Sequence, residues 1–169
     1  MRKFAVVVAL CMTVASGCAL AGEKVEMPNP LKNLKAGQWV HYRINTLFGI
    51  AEQKQTVVSV QGEGDDRLIT IKSEMSIDGE VVDEQEDTVT FKAALQEQEE
   101  SLNEAENVEY FAVQTDVKGE QIPAVRVDFT QDGQTCHLYM SERIPLVGMI
   151  RLLVDGMDEP AMELLDFGE

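Results

Sequence analysis

Beyond the N-terminal segment, two histidines and one cysteine are the residues whose chemistry could be catalytic or metal-binding. His41 and His137 lie in two separate segments where polar and apolar residues alternate, as they do in β-strands. Cys136 directly precedes His137, and neighbouring residues of a strand point to opposite faces, so the two do not share a metal ion. We therefore predict two histidines on the sheet surface and a buried, unreactive thiol at Cys136.

No motif typical of an enzyme accompanies these residues. The sequence has neither a glycine-rich phosphate loop nor the G-x-S-x-G turn that presents a catalytic serine. Acidic side chains are dense over residues 78–109, where Lys92 is the single base, but the D-x-[DN]-x-[DN]-G spacing of a calcium loop is missing. We predict a solvated acidic face there, and a protein without catalytic residues, cofactor or metal.

The N-terminus has the three parts of a bacterial export signal. Arg2 and Lys3 give it a positive start, residues 4–15 are uncharged and almost entirely apolar, and small residues follow. The apolar run is too short for a stable membrane-spanning helix, which needs about 20 residues. We predict a signal peptide over residues 1–21 and export to the bacterial periplasm or to the periplasmic face of the outer membrane.

Two processing sites compete at the end of this signal. The A-x-A motif at residues 19–21 fits cleavage between Ala21 and Gly22, which releases a soluble protein. The preceding run V-A-S-G-C resembles a lipobox, in which the cysteine, here Cys18, is acylated and becomes the N-terminus of a lipoprotein. Both readings stay open, so residues 22–36 are either a flexible leader or a tether to a membrane.

The rest of the chain is strongly acidic and long enough for one domain with a core. The sequence carries 14 Lys and Arg against 30 Asp and Glu, a formal net charge of −16. Such a charge repels nucleic-acid phosphates and anionic lipid head groups. We predict a single β-rich domain over residues 37–169 that binds no nucleic acid and meets a membrane only through a lipid anchor at Cys18.

Alternation of polar and apolar residues predicts eight or nine strands with one helix after the fourth. Bounded by turns such as Asp78-Gly79 and Asp132-Gly133, the expected strands cover residues 38–46, 53–61, 67–77, 80–90, 108–117, 121–130, 134–140 and 146–154, with a short element at 161–167. A 3.6-residue apolar spacing predicts an amphipathic helix over residues 91–106. The acidic middle of the fourth strand indicates an exposed sheet edge.

The predicted fold class is therefore mainly β, of the α+β kind. It is an antiparallel meander curled into a half-barrel or open barrel, with one amphipathic helix on its open face; a flat sandwich is the alternative. Large apolar side chains either form the core of such a sheet or line an apolar pocket in it: Trp39, Phe48, Phe111, Phe129, Tyr139 and Met140.

Short runs of the sequence resemble segments of a known group of exported bacterial proteins. In residues 133–141 (GQTCHLYMS) a strand ends in an aromatic residue and a serine, and residues 144–151 (IPLVGMIR) bring a Pro-Gly turn and a basic residue. Residues 37–43 (GQWVHYR) look like the opening strand of such proteins. The pattern is similar to the lipoprotein-carrier (LolA-like) half-barrel superfamily. The resemblance implies a curved antiparallel sheet that covers helices, with a concave apolar face able to hold acyl chains.

Two functional hypotheses follow from these features. The first is a non-enzymatic envelope protein whose half-barrel binds an apolar or lipid-like ligand, or a partner protein. The alternative is a structural or interaction module of the cell envelope, whose acidic face binds a basic partner.

Overall fold

The computed structural model describes residues 25, 27–46, 49–96 and 105–169 of the chain. The predictions for the signal peptide, for Cys18, for the cut between Ala21 and Gly22, and for Phe48 lie outside these residues. The strands are β1 Trp39–Thr46, β2 Gly49–Gln61, β3 Leu68–Ile77, β4 Glu80–Thr90, β5 Glu106–Val117, β6 Glu120–Gln131, β7 Gln134–Met140, β8 Met149–Val154 and β9 Met162–Gly168. Residues 91–96 form a short helix.

All nine strands form one antiparallel sheet, built from two meanders that the first and last strands join. The order across the sheet is β4-β3-β2-β1-β9-β8-β7-β6-β5, so every pair of consecutive strands is hydrogen-bonded except β4 and β5. The join runs from Trp39 opposite Gly168 to Ile44 opposite Met162. β4 and β5 are therefore the two edges, and the described strands do not close into a barrel. The predicted mainly β, antiparallel fold with a helix after the fourth strand is confirmed.

The tight turns lie where the sequence predicts them. Asp78 and Gly79 have φ of 52° and 81°, and Asp132 and Gly133 have φ of 52° and 77°. Positive φ at both central residues is the mark of a type I′ turn, whose twist matches that of the strands it connects. Aspartate and glycine tolerate this conformation, which is why these two dipeptides end one strand and begin the next.

Most predicted strands are shifted by only one or two residues, and the notable differences concern β2, β8 and the helix. β2 starts at Gly49 rather than at residue 53, and β8 starts at Met149 rather than at residue 146. The later start of β8 has a local cause, because Leu146 has a φ of 63° and belongs to a turn. The helix predicted over residues 91–106 does not reach its predicted end, because β5 already begins at Glu106.

The connection between β4 and β5 has to run the length of the sheet. The registers place the end of β4 beside the start of β3 and the start of β1, whereas β5 starts at the opposite end, beside the end of β6. A segment that crosses a sheet buries one side against it, and Phe91 is buried at the first helical position.

One face of the sheet, which we call the inner face, carries the core. Val40 and Tyr42 on β1 are fully buried, as are Val127 on β6 and Leu138 on β7. The alternate residues, such as Arg43, point to the opposite, outer face. The inner face therefore follows the two-residue period of the sequence across both meanders.

The end of the sheet where β1 begins is covered, and we call it the capped end. The loop after β7 contributes the buried Ile144 and Leu146, and the segment before β1 contributes Leu31 and Leu34. Arg67, which directly precedes β3, connects this segment to the sheet: its Nη2 donates a hydrogen bond of 2.7 Å to the Leu31 carbonyl. The segment before β1 is thus part of the core, at least from residue 31 onward.

Candidate functional site

The β5–β6 hairpin extends beyond the end of β7 and curls over the capped end. The last pair between β6 and β7 is Val125 opposite Met140, so residues 113–124 form a two-stranded ribbon. At the tip of this ribbon, Lys118 forms an ion pair with Asp166 of β9, which lies four strands away from β5 in the sheet. The ribbon therefore reaches back across the ends of β7 and β8.

Pro123 lies at the point where β6 leaves β7. Proline has no backbone N–H to donate to a neighbouring strand, so within a sheet it occurs where a strand lacks a neighbour on one side. Ser141, the first residue after β7, donates its hydroxyl to the Pro123 carbonyl at 2.8 Å. The buried side of β6 also changes here, from Val125 on the inner face to Ala124 and Ile122 in the ribbon. The ribbon thus turns a second set of apolar side chains toward the core.

A groove of about 610 Å³ lies between the ribbon, the loop after β7 and the segment before β1, and we call it the hairpin groove. Its floor consists of Ala112, Val125 and Met140, which stand opposite one another on β5, β6 and β7. The other lining residues are Val25, Pro28, Pro123, Ala124, Ser141, Glu142 and Arg143. A largely apolar lining with a few polar groups, in this range of volume, is typical of small-molecule sites.

Among the described lining residues, the charged ones, Glu142 and Arg143, both belong to the loop after β7. Arg143 Nη1 donates a hydrogen bond of 2.6 Å to Glu120 Oε1 at the start of β6. Glu142 Oε1 accepts a longer bond, 3.4 Å, from the backbone amide of Asn29. The groove is therefore amphipathic, with an apolar floor and one charged wall.

On the outer face, a row of aromatic and charged side chains crosses the sheet from β5 to β2. Successive members stand opposite one another on neighbouring strands: Phe111, Arg126, Tyr139, Arg151, Glu163, Arg43 and Glu52. The Arg126 guanidinium lies 4.5 Å from the centroid of the Phe111 ring, and that of Arg151 lies 4.3 Å from the centroid of Tyr139. Each of these rings therefore contacts a cation rather than an open pocket.

His137 lies on the outer face between two carboxylates. Its Nδ1 is 2.8 Å from Asp128 Oδ1, and its Nε2 is 3.3 Å from Asp155 Oδ1. The hydrogen bond to Asp128 is the main cause that raises the pKa of His137 above its usual value. Cys136 points to the inner face, where burial raises the pKa of its thiol. In the part of the chain that the structure describes, no group of three or more His, Cys, Asp or Glu side chains is placed to hold a metal ion.

The apolar residues singled out from the sequence are dispersed over the fold. Met140 lies in the floor of the hairpin groove, and Phe129 is buried in the core. Trp39 lies on the outer face because it is four residues before Arg43 on the same strand. Phe111 and Tyr139 lie on that face too, each opposite Arg126.

The remaining residues of the hairpin groove carry no pattern that marks them in the sequence. They come from three strands, one loop and the segment before β1, and most are small apolar residues that occur throughout the chain. Pro123 alone gives a signal, because a proline inside a strand indicates an edge or the end of a pairing.

Neither a family model, nor a curated protein, nor a solved structure matches this chain. Its function is therefore inferred from the geometry of the chain itself. Within the described residues, no helix has the length and apolar character needed to cross a membrane.

Proposed function

We propose that this chain is an exported bacterial envelope protein that binds an apolar or lipid-like ligand without transforming it, with its sheet curved as a half-barrel. The observation that carries the proposal is the hairpin groove, whose floor is formed by Ala112, Val125 and Met140. The N-terminal export pattern supports a place in the envelope. The curl of the β5–β6 ribbon over the capped end supports a curved rather than a flat sheet.

The size of the groove favours a long apolar chain over a small solute. Each buried methylene contributes about 0.8 kcal/mol, so about ten of them contribute about 8 kcal/mol. Association itself costs about 4–15 kcal/mol, which a ligand with only a few buried carbon atoms does not offset. The volume of about 610 Å³ lies within the range of ligand pockets, about 300–1,000 Å³.

The proposal is tested by filling the groove. Ala112 is exposed on the groove floor, so Ala112→Trp occupies the groove without disturbing the core. We expect this variant to bind the neutral fluorescent probe Nile red at least about tenfold more weakly than the unchanged protein, because the indole takes the place of the ligand. Ala93→Trp, at an exposed position of the short helix, is the matched control and should bind the probe normally.

Two results would contradict this function. One is equal probe binding by Ala112→Trp and Ala93→Trp, which would place the probe elsewhere. The other is a purified protein that neither binds the probe nor yields any extractable lipid by mass spectrometry.

The second candidate is an interaction module, and the β4 edge favours it. The first nine residues of β4 are exposed and include five carboxylates: Glu80, Asp83, Glu84, Glu86 and Asp87. An edge strand offers unpaired backbone N–H and C=O groups to a strand of a partner protein. The carboxylates of β4 favour a basic partner strand over a neutral or acidic one. A basic partner held in this way should dissociate as salt rises, and pull-down binding that persists in high salt would count against this candidate.

A further inference from the structure

The charged wall of the hairpin groove contributes one described cation to the lining. Among the described lining residues Arg143 is the only basic one, and Glu142 is the only acidic one. The Glu142 carboxylate is turned toward the segment before β1, where its Oε1 accepts a hydrogen bond of 3.4 Å from the Asn29 amide. In a chain with a net charge of −16, an anionic ligand needs such a local cation to offset the general repulsion.

The partner of Arg143 in the structure is itself a carboxylate. Glu120 Oε1 accepts the 2.6 Å bond from Arg143 Nη1, and Glu120 lies outside the groove lining, at the start of β6. The two side chains are 63% and 50% exposed, for Glu120 and Arg143 respectively. An ion pair this exposed contributes little free energy, so another carboxylate can replace Glu120 at small cost.

The apolar floor begins next to this exchangeable pair. Ser141, whose hydroxyl donates a hydrogen bond to the Pro123 carbonyl, lies between the floor and the charged wall. Met140 of the floor directly precedes it, and Arg143 comes two residues after it. A molecule with its head at Arg143 can therefore lay a chain along Met140, Val125 and Ala112. Guanidinium and carboxylate groups match in a two-bond geometry, which makes a carboxylate a suitable head group.

We propose that the ligand of the hairpin groove is a fatty acid of roughly twelve carbon atoms, whose carboxylate displaces Glu120 from Arg143 while its chain covers the apolar floor. This inference rests on the proposed function, because it specifies the ligand of the same groove. It makes Glu120 an internal competitor: the carboxylate occupies Arg143 in the empty protein and is released when the ligand binds.

The experiment measures the displacement of Nile red by three amphiphiles with the same twelve-carbon chain. Dodecanoate carries a carboxylate, dodecyl phosphate a phosphate group, and dodecyl maltoside a neutral head. We expect the unchanged protein to prefer dodecanoate over dodecyl maltoside by about threefold to fivefold, the contribution of one ion pair at a half-exposed arginine. Arg143→Gln should abolish this preference. Glu120→Gln should strengthen dodecanoate binding about threefold or more, because the competitor has lost its charge.

Lys118→Gln is the matched control for the hairpin. It removes the other ion pair of the same ribbon, the one with Asp166, without touching the groove, so its preference for dodecanoate should equal that of the unchanged protein. Circular dichroism verifies that each variant is folded. If Arg143→Gln does not fold, the gain expected for Glu120→Gln still tests the proposal.

Each other outcome has a distinct meaning. Equal affinity for dodecanoate and dodecyl maltoside, or an unchanged preference in Arg143→Gln, overturns the fatty acid and leaves an apolar-ligand protein in place. Weaker or unchanged dodecanoate binding in Glu120→Gln overturns the competitor role. Tighter binding of dodecyl phosphate than of dodecanoate overturns the carboxylate in favour of a phosphate head. Failure of all three amphiphiles to displace the probe contradicts the proposed function itself.

Discussion

At the residue scale, the two faces of the sheet place the same side-chain type in different surroundings. Tyr42 is fully buried on the inner face, where its hydroxyl donates a 3.0 Å hydrogen bond to the Met149 carbonyl. Tyr139 lies on the outer face beneath the Arg151 guanidinium. The hydroxyl of Tyr42 has no water to stabilise its anion, so burial raises its pKa well above the usual value.

The buried hydroxyl predicts a specific loss of stability in alkali. Because the pKa of Tyr42 is higher in the folded protein, folding is undisturbed below the unfolded value of about 10, and stability falls as the pH rises above it. Tyr42→Phe removes this ionisation, so its unfolding free energy should fall less steeply with pH in that range. Urea unfolding of both proteins on either side of about pH 10 measures the slopes. Equal slopes of unfolding free energy against pH in the two proteins would show that folding does not raise the pKa of Tyr42.

His137 gives a second prediction at this scale. Its raised pKa means that the interaction of the protonated ring with its carboxylates is fully present below the usual value of about 6.5, and is lost as the pH rises through the higher folded value. Asp128 is the main cause, so Asp128→Asn should lower the pKa of His137 more than Asp155→Asn does. An NMR titration of the ring protons measures the pKa of His137 in each variant. A larger decrease in Asp155→Asn than in Asp128→Asn would show that Asp128 is not the main cause. The ring is partly exposed, so the effect on global stability should be small.

At the scale of elements, the loop after β7 and the segment before β1 depend on one close contact. Gly148 precedes β8 with a φ of 71°, and a Cβ placed there would lie 2.8 Å from Pro30 Cγ and 3.1 Å from the Ser141 carbonyl oxygen. The Gly148 carbonyl also accepts the Ser141 amide at 2.8 Å. Glycine is needed here both for its conformation and for the space it leaves.

Comparison of two glycines separates these causes. Gly133 has a similar φ of 77°, but a Cβ there would meet no atom within 4 Å. Gly133→Ala should therefore cost only the conformational strain, about 1–2 kcal/mol of unfolding free energy. Gly148→Ala should cost about 1–3 kcal/mol more, because Pro30 and the loop have to move. Urea unfolding measures the loss of unfolding free energy in each variant. Equal losses would mean that Pro30 moves away from the added methyl group at little cost.

At the scale of the whole molecule, β1 and β9 hold the two meanders together. The described pairs between them span Trp39 to Ile44, and Arg43 adds an ion pair to Glu163 on the outer face. The inner-face core is also continuous across this join, from Ile69 on β3 to Val127 on β6. Neither meander has a separate core of its own.

We therefore expect the sheet to unfold as one cooperative unit. Trp39, the single tryptophan, lies on β1 at the join, so its fluorescence reports on that region. Its urea transition should coincide with that of far-ultraviolet circular dichroism, which reports on all strands. Val40→Ala, in the core of the join, should shift both midpoints together to lower urea, by a loss of about 1–3 kcal/mol. Separate transitions would show that the meanders unfold independently.

Local patterns in the sequence are sufficient to predict the local features of this fold. Alternation placed Val40 and Tyr42 on the inner face and Arg43 on the outer face, and the Asp-Gly dipeptides located hairpin turns, because both signals act between residues close in the chain. The acidic pattern of β4 indicated an edge strand, which the sheet order confirms. The predicted start of β8 is too early, because Leu146 has a positive φ and belongs to a turn, and the predicted helix extends to Glu106, where β5 already begins.

What joins the two meanders, and where a ligand can bind, depends on contacts between segments that lie far apart in the chain. Tyr42 and Met149 are 107 positions apart in the chain, and Arg43 and Glu163 are 120 apart, so no local pattern connects them. The hairpin groove arises in the same way, because Ala112, Met140 and Arg143 meet only after the β5–β6 ribbon has curled past β7. Such contacts depend on packing between distant segments, which periodicity and turn chemistry do not encode.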